Sequence, residues 1–228
     1  MKLLLLLFLA APAWGSTRSE LRTQTRLLVS DSGTSRQRYS DTQINNLLNE
    51  ANKIAIARTY CIHKSTTFYL SAGTTYYATK SDFLSVRRLT RENLQLNEMS
   101  PAALDGRSRQ WAEASGTPTY YFVNFSSRSQ IGFSPFPGTS TDTGTIRMDY
   151  FALPSDMNAD SAAPFDGINE FAPYHYATAY YAAAILSQLD GITASAGAYM
   201  SIFEAQIKSM DDKCEDRPNY NPALIGRP

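Results

Sequence analysis

Apolar positions along this chain repeat with the period of a helix at both ends and with the period of a strand in the middle. The first helical stretch is expected over about Thr17 to Val29, where Leu21, Leu28 and Val29 form a thin stripe. Ser30-Asp31-Ser32-Gly33 then supplies a run of turn formers. The second stretch carries the clearest start signal. Ser40 is a good N-cap, Gln43 stands at capping-box distance, and Tyr39 and Ile44 flank the cap as a hydrophobic staple. Ile44, Leu47, Leu48, Ala51, Ile54 and Ala55 continue at helical spacing and predict a helix reaching about Tyr60.

The pattern then changes. Thr66 to Leu70 and Thr75 to Thr79 are rich in β-branched and aromatic residues, and Ser71 to Thr74 between them reads as a hairpin turn. Phe83 to Leu89, Asn93 to Leu96, Tyr120 to Phe125, Gln130 to Phe133 and Thr145 to Ala152 extend the strand material. Ser100-Pro101 opens a short helix, with Ser as cap and Pro in the first turn, in the stretch running through Trp111 to Gly116-Thr117-Pro118.

Helical spacing returns in the last third. Pro173 is tolerated only in a first turn, so a helix is expected from about Glu170. Its stripe would be Tyr174, Thr178, Tyr181, Ile185 and Leu189, and Gly191 would end it. A fourth helix is expected from about Thr193 to Cys214, with Tyr199, Ile202, Phe203, Ile207 and Met210 on one face. Arg217 to Pro228 holds three Pro and one Gly and reads as extended. The expected fold class is α+β, a bundle of two N-terminal and two C-terminal helices with an inserted antiparallel β domain. The expected divisions are a leader at 1–15, the first half of the bundle at 16–64, a β-rich insert with one short helix at 65–165, the second half at 166–216 and a tail at 217–228.

Composition changes this picture little, and charge changes it more. The 228 residues include fourteen Tyr and eleven Phe, a supply of rigid amphipathic side chains suited to contact surfaces. Formal net charge is zero, which argues against wrapping nucleic acid by charge alone. Yet Ser16 to Gln110 has fourteen Lys/Arg against eight Asp/Glu, and Trp111 onward has six against thirteen. Such polarity would let basic and acidic faces of neighbouring copies meet in a head-to-tail ring; unrelated solvated surfaces are the other reading.

Met1-Lys2, the apolar run Leu3 to Trp14 and the small residues Ala13 and Gly15 resemble a short secretory signal. An over-extended start is the alternative. Cys61 and Cys214 are the only cysteines, able to form one disulfide or to remain two buried thiols.

Catalytic chemistry finds no footing in these patterns. His63 and His175 are the only histidines, and neither accompanies a GxSxG elbow, so each reads as a packed or hydrogen-bonded residue, His63 closing the second helix. Gly138 to Thr145 lacks the lysine and spacing of a phosphate loop and reads as a hairpin loop. Asp211-Asp212 and Glu215-Asp216 read as a solvated acidic patch at a helix end, and no zinc or EF-hand spacing occurs. No enzyme activity, metal or cofactor is expected. The basic residues Arg87, Arg88, Arg91, Arg107 and Arg109 are candidates for contact with a neighbouring subunit or with DNA phosphates.

Several short pieces, taken in order, resemble head-to-tail adaptor (connector) proteins of short-tailed bacteriophages. They are Tyr39-Ser40-Asp41 leading to Ile44, Leu47, Asn49, Glu50 and Ala51; Phe68-x-Leu70; and Asp82-Phe83-Leu84 with the Arg-rich strand after it. Trp111 with Gly116-Thr117-Pro118 and Tyr120, then Ser134 to Pro137, Tyr150-x-Ala152-x-Pro154 and an aromatic/Ala helix pair complete the series. The resemblance implies a structural virion protein, assembled in the host cytoplasm, whose dodecameric ring links the portal vertex of the head to the tail and lines the DNA passage. The implied partners are further copies of the chain, the portal protein, a tail or nozzle protein, and double-stranded DNA passing through without sequence-specific binding. It also implies a C-terminal extension reaching the portal, here through Tyr220, Pro222, Leu224 and Ile225. An export signal is out of place in such a protein, which favours the over-extended start. An exported envelope or extracellular binding module is the alternative if the leader is cleaved.

Overall fold

The computed structural model describes residues 15–33, 37–123 and 129–215. It divides into two compact units, one helical, from the residues up to 59 and from 154 to the end of the last helix, and one β-rich, over 60–153.

Helix α1 (Arg18–Leu28) of the helical unit starts at a capping box. Thr17 Oγ1 accepts from the Glu20 amide, and Glu20 returns a carboxylate oxygen to the Thr17 amide at 2.7 Å. Two of the four orphan donors of a helix start are thereby satisfied. Helix α2 (Asp41–Thr59) begins with the expected second box: the Ser40 amide donates to Gln43 Oε1 at 2.9 Å, and the Gln43 amide to Ser40 Oγ. The Tyr39 and Ile44 side chains belong to one buried cluster, completing the staple.

Helix α4 (His175–Leu189) packs against α1, α2 and α5 (Thr193–Glu215). It corrects two expectations. Pro173 lies in a 3₁₀ stretch, Asn169–Tyr174, and the α-helix starts only at His175. The amphipathic stripe is also wrong at its end, since Leu189 is 73 % exposed while Ala179, Ala182, Ala183 and Leu186 are buried. A helix enclosed by three others has little polar face, and its small residues let the neighbouring backbones come close. The core they share includes Leu21, Val29, Ile44, Leu48 and Met157. Gly191 ends the helix as expected. At φ +74° it lets its own amide reach Gln188 O and the Ile192 amide reach Ser187 O at 2.9 Å, a Schellman closure. Along α5, Phe203, Ile207 and Met210 are buried, whereas Ile202 is on the surface.

Charge ties this bundle together internally. Arg18 and Arg22 meet Asp160 at 2.7 and 3.1 Å, Lys53 meets Asp156, Arg58 meets Glu204, and Arg38 meets Asp190. Five basic residues of the first half are thus paired with four acidic residues of the second within one unit, so less charge is left for a head-to-tail contact between copies than the sequence polarity suggests. Arg26 is the buried member. It donates to Asp31 at 2.7 Å, to Asp41 at 2.6 Å and to the Tyr39 carbonyl, and it fixes the α1–α2 turn.

The β unit holds two four-stranded sheets. One has the order β1 (His63–Tyr69), β8 (Thr145–Ala152), β3 (Phe83–Arg91), β4 (Leu94–Gln95). The other runs β2 (Tyr76–Ala78), β7 (Gln130–Ser134), β6 (Tyr120–Val123), β5 (Asn97–Glu98), all antiparallel except β5 with β6. Two expected hairpins are therefore corrected. The segment Ser71 to Thr74 and the loop Gly138 to Thr145 each carry the chain from one sheet to the other. The first crossing is held by the Gly73 amide on Pro137 O and by Tyr77 Oη, which accepts from the Ser71 amide. In the second, Asp142 accepts from the Thr139 amide and hydroxyl. The tight hairpin lies elsewhere, at Glu92-Asn93, whose φ values of +46° and +71° suit a primed turn between β3 and β4. Phe68 of one sheet packs near Tyr77 and Phe133 of the other, and Leu89, Ile131, Ile146 and Met148 are buried. Helix α3 (Pro101–Arg107) has the expected Ser100 cap but stops short of Trp111, whose ring meets Phe122 edge-on.

Candidate functional site

The five candidate arginines are not one cluster. Strand β3 carries three of them in three different settings. A register shift between Val86 and Arg88 sets Arg87 out of the regular alternation, and its guanidinium lies 3.4 Å from His63 Nδ1. Arg91 is buried, at 8 % exposure, and donates to the Thr143 carbonyl, so it braces the second crossing. Arg88 alone of the three is exposed and has no hydrogen-bond or ion-pair partner among the described residues. At the end of α3, Arg107 donates to the Tyr120 hydroxyl and lies over that ring, 5.0 Å from its centre. Arg109 follows on the surface.

Beside Arg88 the register places a residue that the sequence did not flag. Arg88 is opposite Asp149, and Thr90 is opposite Arg147. Arg147 thus lies diagonal to Arg88 on the same outward face. These four residues and Asn93 line a depression of about 190 Å³. Arg147 Nε lies 3.2 Å from Asp149 Oδ1, and the Arg147 side chain is 64 % exposed. Arg147 sits sixty positions from the arginine run of β3, and only the β3–β8 pairing could have joined them.

Other titratable groups are occupied structurally. His175 is 1 % exposed; its Nδ1 donates to the Ser16 carbonyl at 3.1 Å and its ring meets Phe165 edge-on. Burial lowers its pKa, and the Ser16 carbonyl only partly opposes that. Gly15 is required there, because a Cβ would stand 2.5 Å from the His175 ring. His63 opens β1 rather than closing α2. Lys64 and the Tyr150 hydroxyl both bind Asp82. Burial alone would raise that carboxyl, but the two hydrogen bonds and the lysine charge hold it below its ordinary value. The Tyr181 hydroxyl, pushed up to about 12 by burial, donates to Glu50. Cys61 and Cys214 are buried, and neither is a free thiol. Among the described residues no group of three or more His, Cys, Asp or Glu could hold a metal, and no helix is long and apolar enough to cross a membrane. Tyr220, Pro222, Leu224 and Ile225 lie outside the described residues.

The chain thus folds as a helical unit split in sequence around a two-sheet insert. The sequence profile of the SU10 adaptor protein family matches residues 16–225. The chain belongs to that family. SU10 adaptors are head-to-tail adaptor proteins of short-tailed phages, in agreement with the resemblance carried by the sequence motifs. No curated protein matches the chain. As an SU10 adaptor it is a structural phage protein, and its match covers both the helical unit and the β unit.

Proposed function

We propose that this adaptor forms a dodecameric ring that links the portal vertex of a phage head to the tail and lines the path of the DNA. It does so as a virion component assembled in the host cytoplasm, with portal and tail or nozzle proteins as partners. The family match over residues 16–225 carries this reading. The C-terminal residues Tyr220, Pro222, Leu224 and Ile225 supply the portal contact in this proposal, as an extended segment that orders on binding. Arg88, Arg107 and Arg109 are the exposed candidates for contact with a neighbouring copy or DNA, whereas Arg87 lies beside His63 and Arg91 serves the fold.

Co-expression of residues 16–228 with the cognate portal, followed by electron microscopy, tests this. Rings seated on the portal are expected, and removal of 217–228 should abolish their attachment while leaving the folded unit intact. Monomers alone, with and without portal, would overturn the reading.

A further inference from the structure

The depression between β3 and β8 has a composition that goes beyond a generic basic surface. Its charged groups are two guanidiniums and one carboxylate, Arg88, Arg147 and Asp149. Asp149 engages the Nε side of Arg147, which leaves the terminal nitrogens of that guanidinium and the Arg88 guanidinium without an ion-pair partner among the described residues. The sum is a single positive charge, with the Thr90 hydroxyl and the Asn93 amide as neutral partners. One monoanion is what such a seat neutralises. A phosphodiester carries one negative charge per phosphate, whereas a phosphomonoester carries nearly two.

The surrounding face distinguishes between kinds of partner. Ser65 is opposite Asp149 and Thr67 is opposite Arg147, and both are exposed. The outward positions thus form two cross-strand rows of polar and charged side chains, Ser65, Asp149 and Arg88 in one and Thr67, Arg147 and Thr90 in the other, bordered on β1 by Tyr69, which is 76 % exposed. A protein partner needs an apolar centre to its interface, which these rows do not offer. Nucleic-acid interfaces are polar, wet and built on Arg, Ser and Thr contacts to phosphate oxygens.

We propose that Arg88 and Arg147 hold one phosphodiester group of double-stranded DNA, with Asp149 fixing the Arg147 guanidinium and limiting the seat to a single charge. The inference rests on the adaptor reading for the presence of DNA, but the contact itself needs no ring. It is independent of sequence, as contacts to the backbone are.

The test is fluorescence anisotropy of a labelled duplex with the full chain in low salt, repeated over a salt series. R88Q/R147Q should weaken binding about tenfold and lower the salt slope by about one per copy. D149N, which adds a net positive charge while keeping an acceptor for Arg147, should tighten binding several-fold. K208Q, an exposed charge on the helical unit, should change little. Thermal melts of each variant establish that the fold is kept. Wild-type affinity in R88Q/R147Q, or no binding by the unaltered chain at low salt, would overturn the proposal. Loss of self-association in R88Q/R147Q with unchanged duplex binding would also overturn it, and would mark this face as a contact with a carboxylate of another copy. Mass photometry of the same samples reads ring formation separately, so a failed ring with intact, Arg88-dependent binding would break the adaptor reading and leave the phosphate seat standing.

Discussion

The helical unit and the β unit solve the same problem, a split and distant set of partners, in opposite ways. In the helical unit each element announces itself locally and is then clamped by long-range charge: Arg18 to Asp160, Arg58 to Glu204, Arg38 to Asp190. In the β unit the strands are equally visible, but neighbours in sequence separate into different sheets, and the crossings are held by backbone and hydroxyl hydrogen bonds. Helices specify themselves, whereas strands specify only that they will pair. The choice of partner is made by packing.

The largest test of that contrast is at Arg26. Arg26→Leu removes three hydrogen bonds and leaves the Asp31 carboxylate, at 4 % exposure, without its close cation, held only by the Arg38 guanidinium at 4.0 Å and the Arg38 and Tyr39 amides. A loss of about 3–5 kcal/mol is expected in urea unfolding. A loss below about 1 kcal/mol would show that the clamp contributes nothing beyond helix packing. The matching test in the β unit is Gly132→Val. A Cβ there would lie 2.3 Å from the Phe122 ring, which is itself buried against Trp111 and Tyr76. About 2–3 kcal/mol of overpacking is expected, with altered near-ultraviolet dichroism from the aromatic cluster.

Gly191→Ala should cost about 1 kcal/mol, because the Schellman closure holds that residue at positive φ. Ser40→Ala should cost a similar or smaller amount, about 1 kcal/mol, by unmaking the α2 cap. The smallest effect concerns acid. The Arg22 and Arg18 guanidiniums hold the Asp160 carboxyl down at about 2, below its ordinary 3.8. A depressed folded value means that the contribution is complete above about 4 and fades as pH falls toward 2. Asp160→Asn should therefore lower stability by a constant amount above about pH 4, the difference from the unaltered chain closing as pH falls toward 2, and a difference that stays unchanged down to pH 2 would contradict it.

Legibility followed the range of the interactions. The start of α2 and the termination of α4 could be read because caps, staples and glycine closures act within a few residues. The start of α4 was misplaced because Pro173 is compatible with either an α-helical or a 3₁₀ first turn. Its stripe was misread because a helix surrounded on three sides loses the polar face that periodicity depends on. In the β unit, Ser71 to Thr74 has turn chemistry but not a hairpin's partner, and no local residue says that β1 waits for β8. The same gap hid Arg147 from its place beside Arg88, while Arg91 was taken for a surface residue because its burial is created by the loop at Thr143.

The enclosed position of α4 has a consequence for synthesis. His175 lies 116 residues beyond Thr59, so a ribosome adding about 5–20 residues per second leaves the apolar faces of α1 and α2 uncovered for roughly 5–25 s. During that interval the first two helices hold Leu21, Ile44 and Leu48 with nothing from α4 to cover them. A nascent chain that stalls inside the insert would be a substrate for chaperones rather than a half-built adaptor.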